Sequence, residues 1–222
     1  VADSQIMLRI GHIIPSLDFG GAEKQLLNLA MHDSLSVHSI IIFSALNQDF
    51  IRSHDLRNVT VVDLSHMSIL DKLISLIKIF RGESYDVIQC WMYHACLISV
   101  FFSNKRIPVI WNIRRSGVSI KSLKIKTYLI VRFLAIFSKL IPDATVYCAS
   151  TARDSHVALG FRCARQKIIY NGFTFSGQLE KTFPKIVRLG FVGRNVTEKN
   201  FEAFFQFLLY LEDKKERVTG NI

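Results

Sequence analysis

Short apolar runs rich in β-branched residues recur along this chain, and longer stretches with apolar positions at helical spacing separate them. Met7 to Ile14, Val37 to Phe43, Val59 to Leu64, Val87 to Trp91, Val109 to Ile113, Ala144 to Cys148 and Lys167 to Tyr170 are predicted strands. Between two of them, Ile69, Leu70, Leu73, Ile74, Ile77 and Phe80 fall at the three- and four-residue intervals of an amphipathic helix. Short strands that are apolar throughout are buried on both faces. Their alternation with helices therefore predicts an α/β fold, a doubly wound parallel sheet. Such sheets bind ligands beyond the carboxyl ends of their strands, where loops enter helix N-termini.

After "YNGF" (Tyr170 to Phe173) the pattern breaks. Residues 174–185, "TFSGQLEKTFPK", are polar and turn-rich; a strand-like run, Ile186 to Arg194, and a helix-like run, Asn200 to Glu216, follow. One strand and one helix leave a sheet edge and an apolar helix face uncovered. The expected organisation is a first domain over 1–173, a linker over 174–185, and the incomplete start of a second α/β domain over 186–222.

Composition narrows the partners. Half of the 222 residues are apolar, and 28 Lys and Arg against 18 Asp and Glu give a formal charge of +10. That charge favours an anionic partner: nucleic acid, an acidic membrane surface or a phosphorylated ligand. Nucleic acid is the weakest of these, because the aromatic residues sit inside apolar runs rather than among Lys and Arg on a stacking surface. Cys90, Cys96, Cys148 and Cys163 show no CxxC spacing, so a reduced, intracellular protein is expected rather than a disulfide or zinc scaffold. The segment "VADSQIMLRI" lacks the signature of a signal peptide, and no apolar run approaches the roughly 18 to 20 residues of a membrane span. The expectation is a soluble or peripheral cytoplasmic protein.

Several residues in strand-to-helix loops have chemistry to offer. Gly20 and Gly21, in "SLDFGGAEKQLLNLA", let a ligand approach bare backbone at a helix N-terminus, a natural place for a phosphate or a sugar oxygen. The same stretch also reads as a plain turn, with Glu23 favourable to the helix dipole. In "FVGRNVTEKN", Arg194 and Lys199 form either a diphosphate clamp or a solvated basic loop. His94 in "WMYHAC" is either a hydrogen-bonding or proton-accepting group on the ligand-facing rim, or a packing residue. Arg114 in "WNIRRSG" follows a predicted strand end and is either a substrate- or donor-binding cation or a surface cation; Arg115 beside it reads as a surface cation. The chain has no Asp-x-Asp pair.

Taken in order, "LDFGGAEKQLLNLA", "YDVIQCWMYHACLISVFF", "IPVIWNIRRS", "YNGF" and "GFVGRNVTEKNFEAFFQ" resemble glycosyltransferase family 4, of the two-domain GT-B architecture. The resemblance runs from about Met7 to Leu211. Its "WMYHA" and "IWNIRRS" elements are similar to members that build bacterial cell-surface polysaccharides, such as lipopolysaccharide and capsule. It implies a Rossmann-like first domain on the acceptor side and a donor-binding second domain. It also implies metal-independent, retaining transfer of a hexose from a nucleotide-sugar donor to a lipid-linked or oligosaccharide acceptor. With this resemblance, and no Asp-x-Asp pair, no metal and no cofactor are expected. By the same resemblance Gly20, Gly21 and Glu23 face the donor, and Arg194 and Lys199 hold its diphosphate. Asn171 and Gly172 lead into the linker, and His94 looks toward sugar and acceptor as a candidate catalytic residue. The family's second domain continues with more strands and a Glu-x7-Glu element that this chain does not contain, so inactivity of this chain alone is expected. The alternative reading is a non-catalytic module that docks on a membrane or a partner.

Location adds one more candidate. Lys121 to Ile141 carries Lys121, Lys124, Lys126, Arg132 and Lys139 among apolar residues with no acid. It reads equally as a core helix with solvated bases or as a helix lying on anionic lipid. With the resemblance it points to peripheral attachment at the inner face of the cell membrane.

Overall fold

The computed structural model describes residues 7–54, 56, 59–82, 84–119, 123–173, 188–193, 199–214 and 219–221. It divides into two compact units, Val1–Phe173 and Thr174–Ile222.

In the first unit seven strands form one wholly parallel sheet: β1 (Leu8–Leu17), β2 (Ser36–Leu46), β3 (Val59–Asp63), β4 (Val87–Trp91), β5 (Val109–Ile113), β6 (Ala144–Tyr147) and β7 (Gln166–Ile168). Their order is β3-β2-β1-β4-β5-β6-β7, so the winding reverses between β1 and β4. Six helices connect them: α1 (Gly21–His32), α2 (Gln48–Arg52), α3 (Ile69–Arg81), α4 (Met92–Phe102), α5 (Ile125–Phe137) and α6 (Ser150–Ala158). This is the doubly wound α/β fold that the alternating pattern predicts.

Both sheet faces are apolar, as strands without polar alternation require. On one face Ile14, Ile40, Ile42 and Trp91 pack with Leu26, Leu27 and Ala30 of α1 and Phe50 of α2. On the other, Ile13, Ile41, Cys90 and Trp111 pack with Leu76 and Phe80 of α3, Cys96 of α4, and Val131 and Leu134 of α5. All four cysteines are free, and three are buried. β1 outruns its predicted end at Ile14: a register shift between Ile14 and Ser16 accommodates Pro15, which has no N–H to give, and pairing resumes to Leu17.

The second unit contains β8 (Arg188–Gly190), α7 (Phe201–Asp213) and β9 (Thr219–Asn221), with β8 and β9 parallel. The expected strand and helix are both present, and β9 adds a second strand that makes them a β-α-β unit. The added strand, "TGN", has no apolar pattern and is defined by backbone pairing alone. Ile186, Val187 and Arg194, the ends of the predicted strand, lie outside the described residues. Phe191 packs on Phe201 and Phe204, but no described residue of α7 is buried.

A line of buried polar groups crosses the α1 side of the first sheet. The Trp91 indole N–H donates to His12 Nδ1 (3.2 Å), His12 Nε2 meets His38 Nδ1 (2.9 Å), and His38 Nε2 meets the Asp33 carboxylate (3.2 Å). An indole can only donate, so the direction of the whole line is set. His12 accepts on Nδ1 and carries its proton on Nε2, and His38 donates in turn to Asp33. Both histidines are sealed from water, at 0% and 1% exposure. Burial first, then the neighbouring His38, pushes the His12 pKa down to about 3.

This depressed value has a definite sign in stability. Between about pH 6.5 and 3 the unfolded chain binds a proton that folded His12 refuses, so stability is lost as pH falls through that window, by up to about 1.4 kcal/mol per pH unit. Chemical denaturation of wild type and His12→Gln between pH 6.5 and 5, above the range where carboxylates titrate, checks it. The variant should be less stable at pH 7 by about 1–3 kcal/mol, because Trp91 and His38 lose a partner. It should also show a shallower pH slope; equal slopes would contradict the assignment.

Candidate functional site

Adjacent strands β1 and β4 send their chains to opposite faces of the sheet, β1 into α1 and β4 into α4, which opens a crevice at their carboxyl ends. Gly20 caps α1 with ordinary extended backbone (φ −126°, ψ 162°), and Gly21 is its first residue. Neither is in the left-handed region. A Cβ on Gly21 would meet nothing within 4 Å, and one on Gly20 would run into the carboxylate of Glu23, which folds back over it. Neither backbone conformation nor packing calls for glycine at position 21. What the pair provides is a helix N-terminus with no side-chain cap hydrogen bond from Gly20 and open space at Gly21.

Helix starts along this edge differ. Asn47 caps α2 and Ser68 caps α3 through side-chain oxygens. α4 and α6 have no side-chain cap and no acidic residue in the first turn, leaving their positive dipole ends uncompensated there. His94 is exposed in the first turn of α4 and makes no hydrogen bond among the described residues. Two residues before it, Met92 has φ 67°, a left-handed backbone that costs a non-glycine residue about 1 kcal/mol or more.

Arg114 leaves the end of β5 and is drawn into this edge. Its guanidinium carbon lies 5.0 Å from the centre of the Trp91 ring, and its Nη1 donates to the Ile169 carbonyl (3.2 Å) and to Asn171 Oδ1 (3.0 Å). Burial lowers its pKa. The neighbouring Gly172 is clasped at both backbone groups by Gln25 of α1: its N–H donates to Gln25 Oε1 (3.0 Å), and its carbonyl accepts from Gln25 Nε2 (2.9 Å). The structure thus joins Arg114, Asn171 and Gly172, through Gln25, to the helix that Gly20 and Gly21 begin. His94 is not bonded to this group. Lys199 belongs to the second unit, is exposed, and has its stem near Gly193; Arg194 lies outside the described residues.

Sequence reasoning passed over Gln25, Trp91, His12 and His38. Gln25 looks like any polar residue of an amphipathic helix, and its partner is 147 residues away. The only available signal was in His12 and His38, polar positions within apolar strands.

A cavity of about 410 Å³ lies at the opposite, amino edge, lined by Arg9, Arg81, Tyr85, Asp86 and Arg106. Its Arg9 is tied to the Asp86 carboxylate through Nε, Nη2 and the backbone N–H, which holds the Asp86 pKa below the usual carboxylate range. Among the described residues no group of three His, Cys, Asp or Glu is placed to hold a metal, and no helix is long and apolar enough to cross a membrane.

No protein-family model and no curated protein sequence matches the chain. Solved structures do. HepE from Anabaena in complex with UDP-glucose superposes with a TM-score of 0.60 at 19% identity, over 75% of this chain and 44% of that one. The lipopolysaccharide outer core galactosyltransferase WaaB gives 0.57 at 14% identity, over 96% of this chain and 67% of that one. A UDP-N-acetylglucosamine 2-epimerase gives 0.53 at 11%, over 96% and 63%. The chain therefore spans less than half the length of HepE. At these identities the likeness establishes one thing: the Rossmann-like doubly wound fold is shared.

Proposed function

We propose that the chain supplies the acceptor-side domain, and the opening of the donor-side domain, of a family 4 glycosyltransferase of GT-B architecture. It would transfer a hexose from a nucleotide-sugar to a lipid-linked or cell-surface glycan. The observation that carries this reading is the crevice between β1 and β4, bordered by the start of α1, where the space above Gly21 is open, by an uncapped α4 and by Arg114. A fold shared with a UDP-glucose complex and a lipopolysaccharide galactosyltransferase supports it.

In this reading the departing diphosphate needs stabilisation as charge develops on it, and preorganised amides and cations provide that without a metal. The N-terminus of α1 at Gly20 and Gly21 faces the donor, with Glu23 at the transferred sugar. Arg194 and Lys199 hold the diphosphate, and His94 hydrogen-bonds the acceptor hydroxyl. Transfer retains the anomeric configuration, and no side chain is assigned as a nucleophile. The 222-residue chain alone is expected to bind donor weakly and not to turn it over. Calorimetric titration of UDP-glucose into this chain tests the donor site. Arg194→Ala and Lys199→Ala should each weaken binding about tenfold, and chelation of divalent cations should change nothing. Binding that depends on Mg²⁺, or that both variants leave intact, would contradict the reading, and UDP release at enzymatic rates would contradict the inactivity.

The outer surface of the α3–α4–α5 layer supports peripheral attachment at the cytoplasmic face. α5 buries Val131 and Leu134 and exposes Ile125, Leu129 and Ile136 beside Lys124, Lys126, Arg132 and Lys139. On the same sheet face, α3 exposes Ile69, Leu70, Leu73 and Ile74. Lys121 lies outside the described residues. Apolar side chains can enter the lipid headgroup region while bases pair with anionic lipid, at about 1 kcal/mol for each base near the surface. Co-sedimentation should show stronger binding to anionic than to neutral vesicles, weakened by salt and lost on reversing Lys124, Lys126 and Lys139 to Glu. Equal binding to both vesicle types would contradict it.

A further inference from the structure

Arg114 is a cation held partly out of water, and among the described residues no carboxylate pairs with it. Arg9, Arg52 and Arg153, whose side chains are 50%, 77% and 43% exposed, each face a carboxylate, respectively Asp86, Asp49 and Asp154. Arg114 is half-buried, yet its described partners are a carbonyl, an amide oxygen and the Trp91 ring, all uncharged. Its Nε is buried without an acceptor, and its Nη2 makes no hydrogen bond among the described residues. A guanidinium taken partly out of water keeps a desolvation cost that neutral partners offset only in part.

The surroundings are built rather than incidental. Trp91 cannot swing away, because its N–H is fixed by the buried His12–His38–Asp33 line. Asn171 and Ile169 hold one arm of the guanidinium, so the fork is oriented before any ligand arrives. Asn112 lies two residues earlier on β5, in register with Trp91 and hence on its side of the sheet. It is 1% exposed, and neither atom of its amide has a partner among the described residues. β5 sits between β4 and β6, whose helices both begin uncapped. Arg114, the Asn112 amide and the starts of α4 and α6 offer donors or positive potential, and among the described residues no carboxylate pairs with Arg114.

We propose that Arg114, on its Trp91 shelf, is the recognition point for an oxyanion carried by the acceptor: a carboxylate or phosphate on the glycan. This rests on the glycosyl-transfer reading, in which the donor diphosphate belongs to the start of α1 and to Arg194 and Lys199. β5 lies beyond β4 from the start of α1, the side that this reading leaves to the acceptor.

Ligand-detected NMR on the 222-residue chain tests the proposal with four probes: methyl glucuronide, galactose 6-phosphate, neutral methyl glucoside and inorganic phosphate. At least one anionic sugar should bind about tenfold more tightly than the neutral glucoside, and which one does so tells carboxylate from phosphate. Arg114→Gln should abolish that preference; Arg114→Lys, which keeps the charge without the fork, should retain part of it and guards against misfolding of the first variant. Equal affinity for charged and neutral sugars, or a preference that survives Arg114→Gln in a folded protein, would overturn the proposal. Inorganic phosphate binding as tightly as galactose 6-phosphate would also overturn it, leaving a bare anion site. UDP-glucose affinity in the same variants separates the two readings. If it is unchanged by Arg114→Gln, Arg114 stays on the acceptor side, and a parallel loss would move it to the donor and refute the assignment. Wild-type protein that ignores UDP-glucose but still prefers the anionic sugar would count against glycosyl transfer while leaving the Arg114 oxyanion site standing.

Discussion

The pairing of β1 with β4 is the constraint on which everything else in the first unit depends. All seven strands run the same way, so each connection must cross to one face of the sheet. The reversal of winding at β1 and β4 sends successive connections to opposite faces. No helix can then cover the gap above their carboxyl ends, and the amides that begin α1 and α4 are left facing it. The packing that makes this pairing firm is ordinary: isoleucines on both faces of β1 and β2, and helices laid over each side. The candidate chemistry collects where that packing is interrupted.

Polar groups inside the apolar layer serve the same edge. Two histidines beneath α1 are costly to bury, and their line of hydrogen bonds offsets that cost by leaving each ring nitrogen with a partner. Their position gives the line a use. It begins at Asp33, where α1 ends, and finishes at Trp91, where β4 ends, so the orientation of an aromatic ring at the carboxyl edge is set from the far end of the sheet. Arg114 rests on that ring, and the clasp of Gln25 on Gly172 ties the last segment of the unit to α1. Four separate stretches of chain are thereby held at one edge by side-chain bonds rather than by strand pairing.

Much of this fold was legible because buried parallel strands leave a strong trace. β4 and β5 were read at their observed ends: Asp86 and Pro108 precede the two apolar runs, and Arg114 follows the second. β1 was read short because proline normally ends a ladder, and a bulge at Pro15 is not visible in composition. β9 was missed because "TGN" has no pattern, only a partner. The candidate site was legible as separate residues: Gly20, Gly21, His94, Arg114, Asn171 and Gly172 all lie on the carboxyl edge of the first sheet. Their connections were not. Gln25 to Gly172, Trp91 to His12 and Arg114 to Trp91 are set by strand register and helix packing, and no spacing along the chain encodes them.

The central claim is that the crevice between β1 and β4 is where this chain meets its ligand. Amide-resolved NMR of the isotope-labelled 222-residue chain, titrated with UDP-glucose, tests it most directly. The account predicts that the largest shifts fall on Gly20, Gly21, Ala22, Tyr93 and His94, while the amino edge at Arg9, Gly82 and Arg106 stays still. Shifts centred on that amino-edge cavity, with the Gly20 and Gly21 amides unmoved at saturation, would contradict it.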